Sequence, residues 1–216
     1  MKNLFFFASA LLILSSCNNK DSKSETADKQ AVLSANGQHY IVDSSSSLSW
    51  TASKPTGKHT GNFNIKEGNV VVNDATISAG NFVIDITSLT DVDLSSDPEN
   101  KGKLEGHLKS PDFFDITKYP TANFSITSVE PYIADSTNQA SGYTHLIKGN
   151  LTLKDSTKNI SFPAKVTIDS RSLVASADFN IDRTSWGMNY KGPNNPQDWF
   201  ISKTVNIKLN LKATKK

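Results

Sequence analysis

"NISFPAKVTID", residues 159–169, alternates without a slip: Ile160, Phe162, Ala164, Val166 and Ile168 share one side of an extended chain, and Ser161, Lys165 and Thr167 the other. A period of two marks a strand with one dry face and one wet face. The pattern returns in "LVASADFNID" (173–182), with Leu173, Ala175, Ala177, Phe179 and Ile181 aligned. It returns again in "GNFVIDITSL" (80–89) through Phe82, Ile84 and Ile86, and in "TANFSITSV" (121–129) through Ala122, Phe124 and Ile126. The closing "WFISKTVNIKLNLKAT" (199–214) aligns Trp199, Ile201, Val205, Ile207, Leu209 and Leu211. Residues 40–43, 47–53, 60–66, 69–78 and 146–154 are further strand candidates, separated by turn signals such as "KEGN", "NDAT" and "KDSTKN". Roughly eight to ten short strands fit an antiparallel sandwich or a closed barrel, and only closure removes the sheet edges. The alternation does not choose between them. Pro163, inside so regular a strand, belongs at an edge, a bulge or a strand start.

One stretch breaks the rhythm. In residues 95–124, Asp97 followed by Pro98 and Glu99 predicts a helix start: a capping side chain, a proline in the first turn and an acid near the positive end of the dipole. Leu104, His107 and Leu108 fall on one face of that short helix, which Pro111 ends. This placement predicts a hydrogen-bonded core role for His107, with the helix over one end or flank of the sheet.

The amino end reads differently from the rest. Lys2, the apolar "LFFFASALLIL" and "LSSC" form a secretory signal too short for a permanent membrane span. Small residues directly before Cys17 resemble a bacterial lipobox, which predicts a signal peptide over 1–17 and a lipid anchor on Cys17. Residues 18–38 are polar, charged and poor in aromatics, the composition of a flexible tether, so the folded domain is expected over 39–214. Cys17 is the only cysteine, so an internal disulfide is impossible and an apolar core must hold the domain together. The 23 basic and 21 acidic residues are interspersed, which leaves no nucleic-acid footprint.

Signs of catalysis are missing from the motifs. There is no Gly-x-Ser-x-Gly elbow and no phosphate loop, and His39, His59, His107 and His145 lack the close spacing of metal signatures. Asp91 with Asp93, and Asp112 with Asp115, read as solvated turn carboxylates. His59 or His145 gathered with a strongly perturbed carboxylate would reopen an enzymatic reading. What remains is a large inward-facing apolar set in which Ala122, Ala164, Ala175 and Ala177 are small enough to leave room. An eight-stranded barrel can be filled by its side chains or hold one small ligand, and the residues leave both open.

"FNIDRTSWGM", "GHLKSPDFFDITKYPTANFSITSV" and "IKGNLTLKDSTKNISFPAKVTI", three separated motifs in order, resemble the YceI family of bacterial lipid-binding, lipocalin-like proteins, over about Tyr40 to Leu211. The resemblance implies an all-β, eight-stranded antiparallel barrel with a short helix, enclosing an apolar pocket for a polyisoprenoid or similar long-chain lipid. It implies an exported envelope protein, periplasm-facing or on the outer membrane, with no catalysis, cofactor or metal and with a homodimer as one possible state. Trp50, Phe82, Ile84, Ile86, Phe124, Ile126, Phe162, Phe179, Ile181 and Ile207 are the expected pocket lining. His107, Phe113, Phe114, Arg183 and Trp186 are expected at its mouth or closure, with Trp186 where the family more often has Phe. For Arg183 and Trp186 two roles stand side by side: contact with a ligand's head group and chain, or a staple at a barrel corner.

Overall fold

Each strand in the second half of the chain returns antiparallel beside its predecessor, as short polar turns between alternating segments require. The computed structural model describes residues 24–134, 142–192 and 200–216. Its strands are β1 (Glu25–Asp28), β2 (Gln38–Val42), β3 (Ser47–Lys54), β4 (Gly57–Asn73), β5 (Thr76–Asp91), β6 (Thr121–Pro131), β7 (His145–Leu153), β8 (Ser156–Ile168), β9 (Ser172–Asp182) and β10 (Thr204–Lys215). Helix α1 (Pro98–Lys109) lies between β5 and β6, and a 3₁₀ turn (Arg183–Trp186) follows β9. Neighbours pair in order from β3 to β10, and β10 then pairs β3 over Val205–Asn210 against Ser47–Ala52. That last ladder closes eight antiparallel strands into a barrel. Trp199, placed by the alternation in the final strand, lies outside the described residues, as do Cys17 and the segment before it.

Two short strands complete the wall. β2 continues the line of β3, held between β4 (Asn69–Val72) and the end of β10 (Ala213–Lys215). β8 and β9 pair only over Lys165–Ile168 and Leu173–Ser176, so they splay apart beyond that point. β1 fills the opening: it pairs β8 over Lys158–Ser161, and Ser24 donates from both its backbone N–H and its hydroxyl to the Asn180 carbonyl of β9. This corrects the reading of residues 18–38 as a tether throughout, since the portion from Ser24 to Leu33 is docked. The composition misleads because all four β1 side chains are exposed. The segment binds through its backbone, and polar side chains suit an outward-facing strand. Pro163 sits between the last residue bonded to β1, Ser161, and the first bonded to β9, Lys165, where a missing N–H leaves no ladder bond unmade.

A buried asparagine pair fixes the docked segment. Asn150 accepts from the Gln30 N–H at 3.0 Å and donates to the Gln30 carbonyl at 2.8 Å, imitating a strand neighbour. Asn159 donates to Asn150 Oδ1 at 3.0 Å and to Thr127.

Helix α1 begins as the sequence predicts, with Asp97 accepting from the Asn100 N–H, and ends at Ser110. It lies at the end of β5, where Glu105 accepts from the Asp91 N–H at 2.8 Å and from the Thr90 hydroxyl at 3.0 Å. Lys101 joins them, pairing with Glu105 at 2.5 Å and donating to the Asp91 carbonyl. No α1 residue is fully buried, and the His107 side chain keeps 38% of its surface exposed. The expectation of a core histidine is therefore corrected. The helix covers the barrel's end and leaves a wet side, so its apolar face meets a cavity where the sequence predicted packed core.

Replacing Asn150 by Ala is expected to cost about 1–3 kcal/mol, since it orphans the Gln30 backbone groups and Asn159. Hydrogen exchange should show lost amide protection confined to residues 25–30. Unchanged protection there would mean that β1 is held by its ladder alone.

Candidate functional site

The inward rows of the barrel surround a cavity of about 670 Å³, within the range of small-molecule sites. Its wall includes Trp50, Phe82, Ile84, Ile86, Phe124, Ile126, Phe162, Phe179, Ile181 and Ile207, so the structure brings all ten expected lining residues together. Phe162 and Phe179 stack at 4.1 Å between ring centroids, nearly parallel, and Phe124 tilts against Phe162 at 5.8 Å. The aromatics thus lean on one another along the wall. Gly149 opposite Ile126 helps: a Cβ there would strike the Phe124 ring, so only glycine lets that ring lie flat. Ala122, Ala164 and Ala175 line the space that remains. Ala177 is buried but is not part of the lining.

All but one of the wall's polar side chains gather at one end; the exception, Ser176, lies midway along β9. Ser53, Lys54, Thr56 and His59 come from the β3–β4 hairpin, His107 from α1, and Arg183, Tyr190 and Lys191 from the segment after β9. These neighbours mark the mouth. The His107 ring stands edge-on to Tyr190 at 4.6 Å and to Phe113 at 5.2 Å, and its Nε2 meets Asp112 at 2.9 Å. Phe114 packs edge-on against Phe63 at 5.5 Å. Tyr190, Met188 and Ile201 also line the cavity. The alternation of the closing stretch aligns Ile201 with the inner row, but sequence reasoning missed Met188 and Tyr190, which lie in irregular backbone where alternation carries no information.

Arg183 is 3% exposed, and its guanidinium is spent on the backbone. Nε donates to the Ser202 carbonyl at 3.0 Å, Nη2 to those of Tyr190 and Ile201, each at 3.0 Å, and Nη1 to that of Met188. It also lies 5.7 Å from the centre of the Phe113 ring. One planar fork thereby ties together two irregular segments that flank the mouth. Asp182 does not pair with it through a direct hydrogen bond. The Asp182 carboxylate instead caps the 3₁₀ turn at the Thr184 N–H and meets Lys203 at 3.4 Å. Burial acts to raise its pKa, but the Thr184 hydroxyl and N–H and the Lys203 charge hold it below the usual range. Trp186 is 1% exposed, donates from Nε1 to the Leu151 carbonyl at 3.0 Å, and is not in the cavity wall. This departs from its expected place at the mouth, because the turn directs the indole back onto the β7 strand. Gly187 ends the turn at φ 74°, a conformation that glycine adopts without strain.

A second polar group stands at the same end. His59 Nδ1 lies 3.0 Å from Asp93 Oδ2 and 3.8 Å from Asp91 Oδ2. Asp91 is 1% exposed, which overturns its reading as a solvated turn carboxylate. Burial, with Asp93 beside it, pushes the Asp91 carboxyl up against the opposing pull of the Leu94 N–H. Burial acts upward on Asp93 too, but the Thr60 N–H, His59 and Asp91 together hold it low. His145 is distant in the sheet, on β7, with burial drawing its pKa down.

Compared with known proteins, residues 40–213 match the YceI-like domain. The chain belongs to the YceI-like family. A UPF0312 protein of Vibrio cholerae is 32% identical over 105 residues, which cover 49% of this chain and 48% of that protein. One from Pseudomonas aeruginosa is 31% identical over 106 residues, with the same coverage. The match thus spans about half the length of these curated relatives. Among solved structures, BcnA of Burkholderia cenocepacia superposes with a TM-score of 0.63 at 21% identity, covering 80% of this chain and 99% of that one. A polyisoprenoid-binding domain from Saccharophagus degradans, implicated in plant cell wall breakdown, gives 0.57 at 15% identity, covering 82% and 98%. At these identities the likeness is one of fold. In this YceI-like barrel the Asp-Arg-x-x-aromatic-Gly stretch builds a corner: Asp182 caps, Arg183 gathers carbonyls, Trp186 anchors and Gly187 turns.

Arg183→Ala leaves four carbonyls without their donor and is expected to lower stability by about 3 kcal/mol, read from chemical denaturation. A head-group role would instead weaken ligand uptake with the denaturation midpoint unmoved.

Proposed function

We propose that this YceI-like protein binds a long-chain lipid, a polyisoprenoid or similar, in the barrel interior, and sequesters or carries it without chemical change. The observation that carries the reading is the 670 Å³ cavity walled by aliphatic and aromatic side chains, with all its polar side chains except Ser176 at one end. A long apolar molecule with a polar terminus matches that distribution. Each buried methylene contributes about 0.8 kcal/mol, so ten would contribute about 8 kcal/mol before the costs of ordering the chain. No ionic contact is required for useful affinity. The fold shared with the polyisoprenoid-binding domain from Saccharophagus degradans supports the ligand class.

The direction of the sheet's faces supports a binding protein over a spanning barrel. Apolar rows point inward here, whereas a membrane-spanning barrel turns its apolar band outward. Among the described residues no helix is long and apolar enough to cross a membrane. We place the protein in a bacterial envelope, exported and held on the membrane by a lipid on Cys17, on the strength of the lipobox-like "LSSC". The cargo would then be exchanged at or near a membrane surface.

Native mass spectrometry of the Cys17→Ser chain, purified without detergent, is expected to show a mass increment that organic extraction releases as a polyprenyl or fatty chain. The same spectrum reads monomer or homodimer. A bare chain that also takes up no added isoprenoid overturns the reading in favour of a self-filled barrel. Ala175, part of an inward row and of the cavity wall, supplies a second test. Ala175→Phe projects a ring into the open space and is expected to reduce lipid uptake at least tenfold with the far-ultraviolet spectrum unchanged.

A further inference from the structure

His59, Asp91 and Asp93 converge beside the cavity mouth. His59 lies on β4, Asp91 ends β5 opposite Gly61, and Asp93 follows in the next turn. One donor atom from each residue lies within 4.8 Å of the other two. The carboxylates are aimed: Asp91 Oδ1 accepts from the Leu94 N–H at 2.8 Å and Asp93 Oδ1 from the Thr60 N–H at 2.6 Å. Each outer oxygen is occupied by the backbone, so both Oδ2 atoms turn toward His59 Nδ1. Such backbone bonds are the supporting contacts that orient metal ligands. Asp91 Oδ2 is buried and has no hydrogen-bond partner, which is costly for a carboxylate oxygen. The nearby cation, Lys101, is directed to the Asp91 carbonyl, Thr90 and Glu105, and leaves that oxygen unserved.

We propose that His59, Asp91 and Asp93 bind one divalent first-row transition ion of the zinc class beside the cavity mouth. Ligands at about 2.0–2.1 Å from a tetrahedral ion stand about 3.3 Å apart. The observed 3.0 and 3.8 Å separations bracket that spacing, so small side-chain shifts close the site. One imidazole with two carboxylates suits zinc or manganese better than calcium, which takes six to eight oxygens. Two carboxylates neutralise the ion's charge, which removes the cost of burying Asp91 ionised. Three protein ligands leave a fourth position for water or an anionic group. The site stands independently of the lipid reading, since it needs no occupant in the barrel.

The test uses the Cys17→Ser chain, which keeps a thiol out of the titration, stripped with chelator and titrated with zinc chloride against a chromophoric competitor. One zinc per chain is expected, with affinity reduced about tenfold or more in His59→Gln and in Asp93→Asn and unchanged in His107→Gln. On the native chain, zinc should shift the ¹⁵N resonance of His59 Nδ1, which needs no folded variant. The proposal is overturned if neither zinc nor manganese binds, or if uptake is equal in all variants.

Discussion

The ladder between β10 and β3 is the contact on which the rest depends. β10 already pairs β9 along Thr204–Thr214, and its second edge takes Ser47–Ala52 of β3, so the sheet has no free edge at that seam. Closure turns eight inward rows toward a common axis and fixes how much volume they must fill. The rows do not fill it. Phe82, Phe124, Phe162 and Phe179 pack tilted or stacked along the wall, while three alanines stand where larger residues could have met across the axis. Wall atoms facing a void lack dispersion partners, and a ligand would supply them. Occupancy would therefore stabilise the barrel as well as be stabilised by it.

The two ends differ in kind. At the far end, Tyr40 reaches the Asp169 carbonyl at 2.9 Å, and Leu173 and Ala213 are almost wholly buried, so regular strands close the wall. At the mouth, β4 and β5 lose register: between the pairs Asn62–Thr90 and Asn64–Asp85, residues 86–89 of β5 face Phe63 alone. That bulge bends β5 outward to meet α1. The backbone there is irregular, so its polar groups need partners other than ladders, and Arg183, Glu105, Asp91 and Asp93 supply them. Residues that look functional by charge are thus partly the cost of an open end. Asp91 Oδ2 stands apart because, of the described buried oxygens on charged side chains, it is the one without a partner.

Strands and their faces were legible because alternation is a property of each segment alone. Ile160 to Ile168 and Leu173 to Ile181 need no tertiary information to be assigned an inner side. Barrel closure was not legible in the alternation, because a sandwich uses the same pattern, and only the three resemblance motifs pointed to it. The docking of β1 was hidden for a related reason: Glu25–Asp28 bind by backbone, and side-chain composition reports nothing about that. Asp91 was misread because "TDVD" carries the same letters whether a strand ends in solvent or under a helix, while Asp93 is the exposed turn carboxylate expected. For Arg183 the sequence offered two roles, and the choice turned on four carbonyls in segments whose path no local pattern describes.

The docked segment also changes what an anchor on Cys17 would do. A tether running to residue 38 would span twenty-one residues, a reach of up to about 75 Å at full extension. With Ser24 bonded to β9, six residues separate the fold from Cys17, a reach of about 22 Å at most. Ser24 meets Asn180, two residues before β9 ends, in the half of the barrel that carries the mouth. A short leash fixed there would keep that half near the membrane, whereas a long one would let the barrel tumble freely. For the proposed uptake of a water-insoluble chain, nearness would matter directly, because the transfer path through water shortens with the leash. β1 satisfies backbone groups exposed where β8 and β9 part, and with the proposed lipid on Cys17 it would also set the distance between the cavity and a membrane.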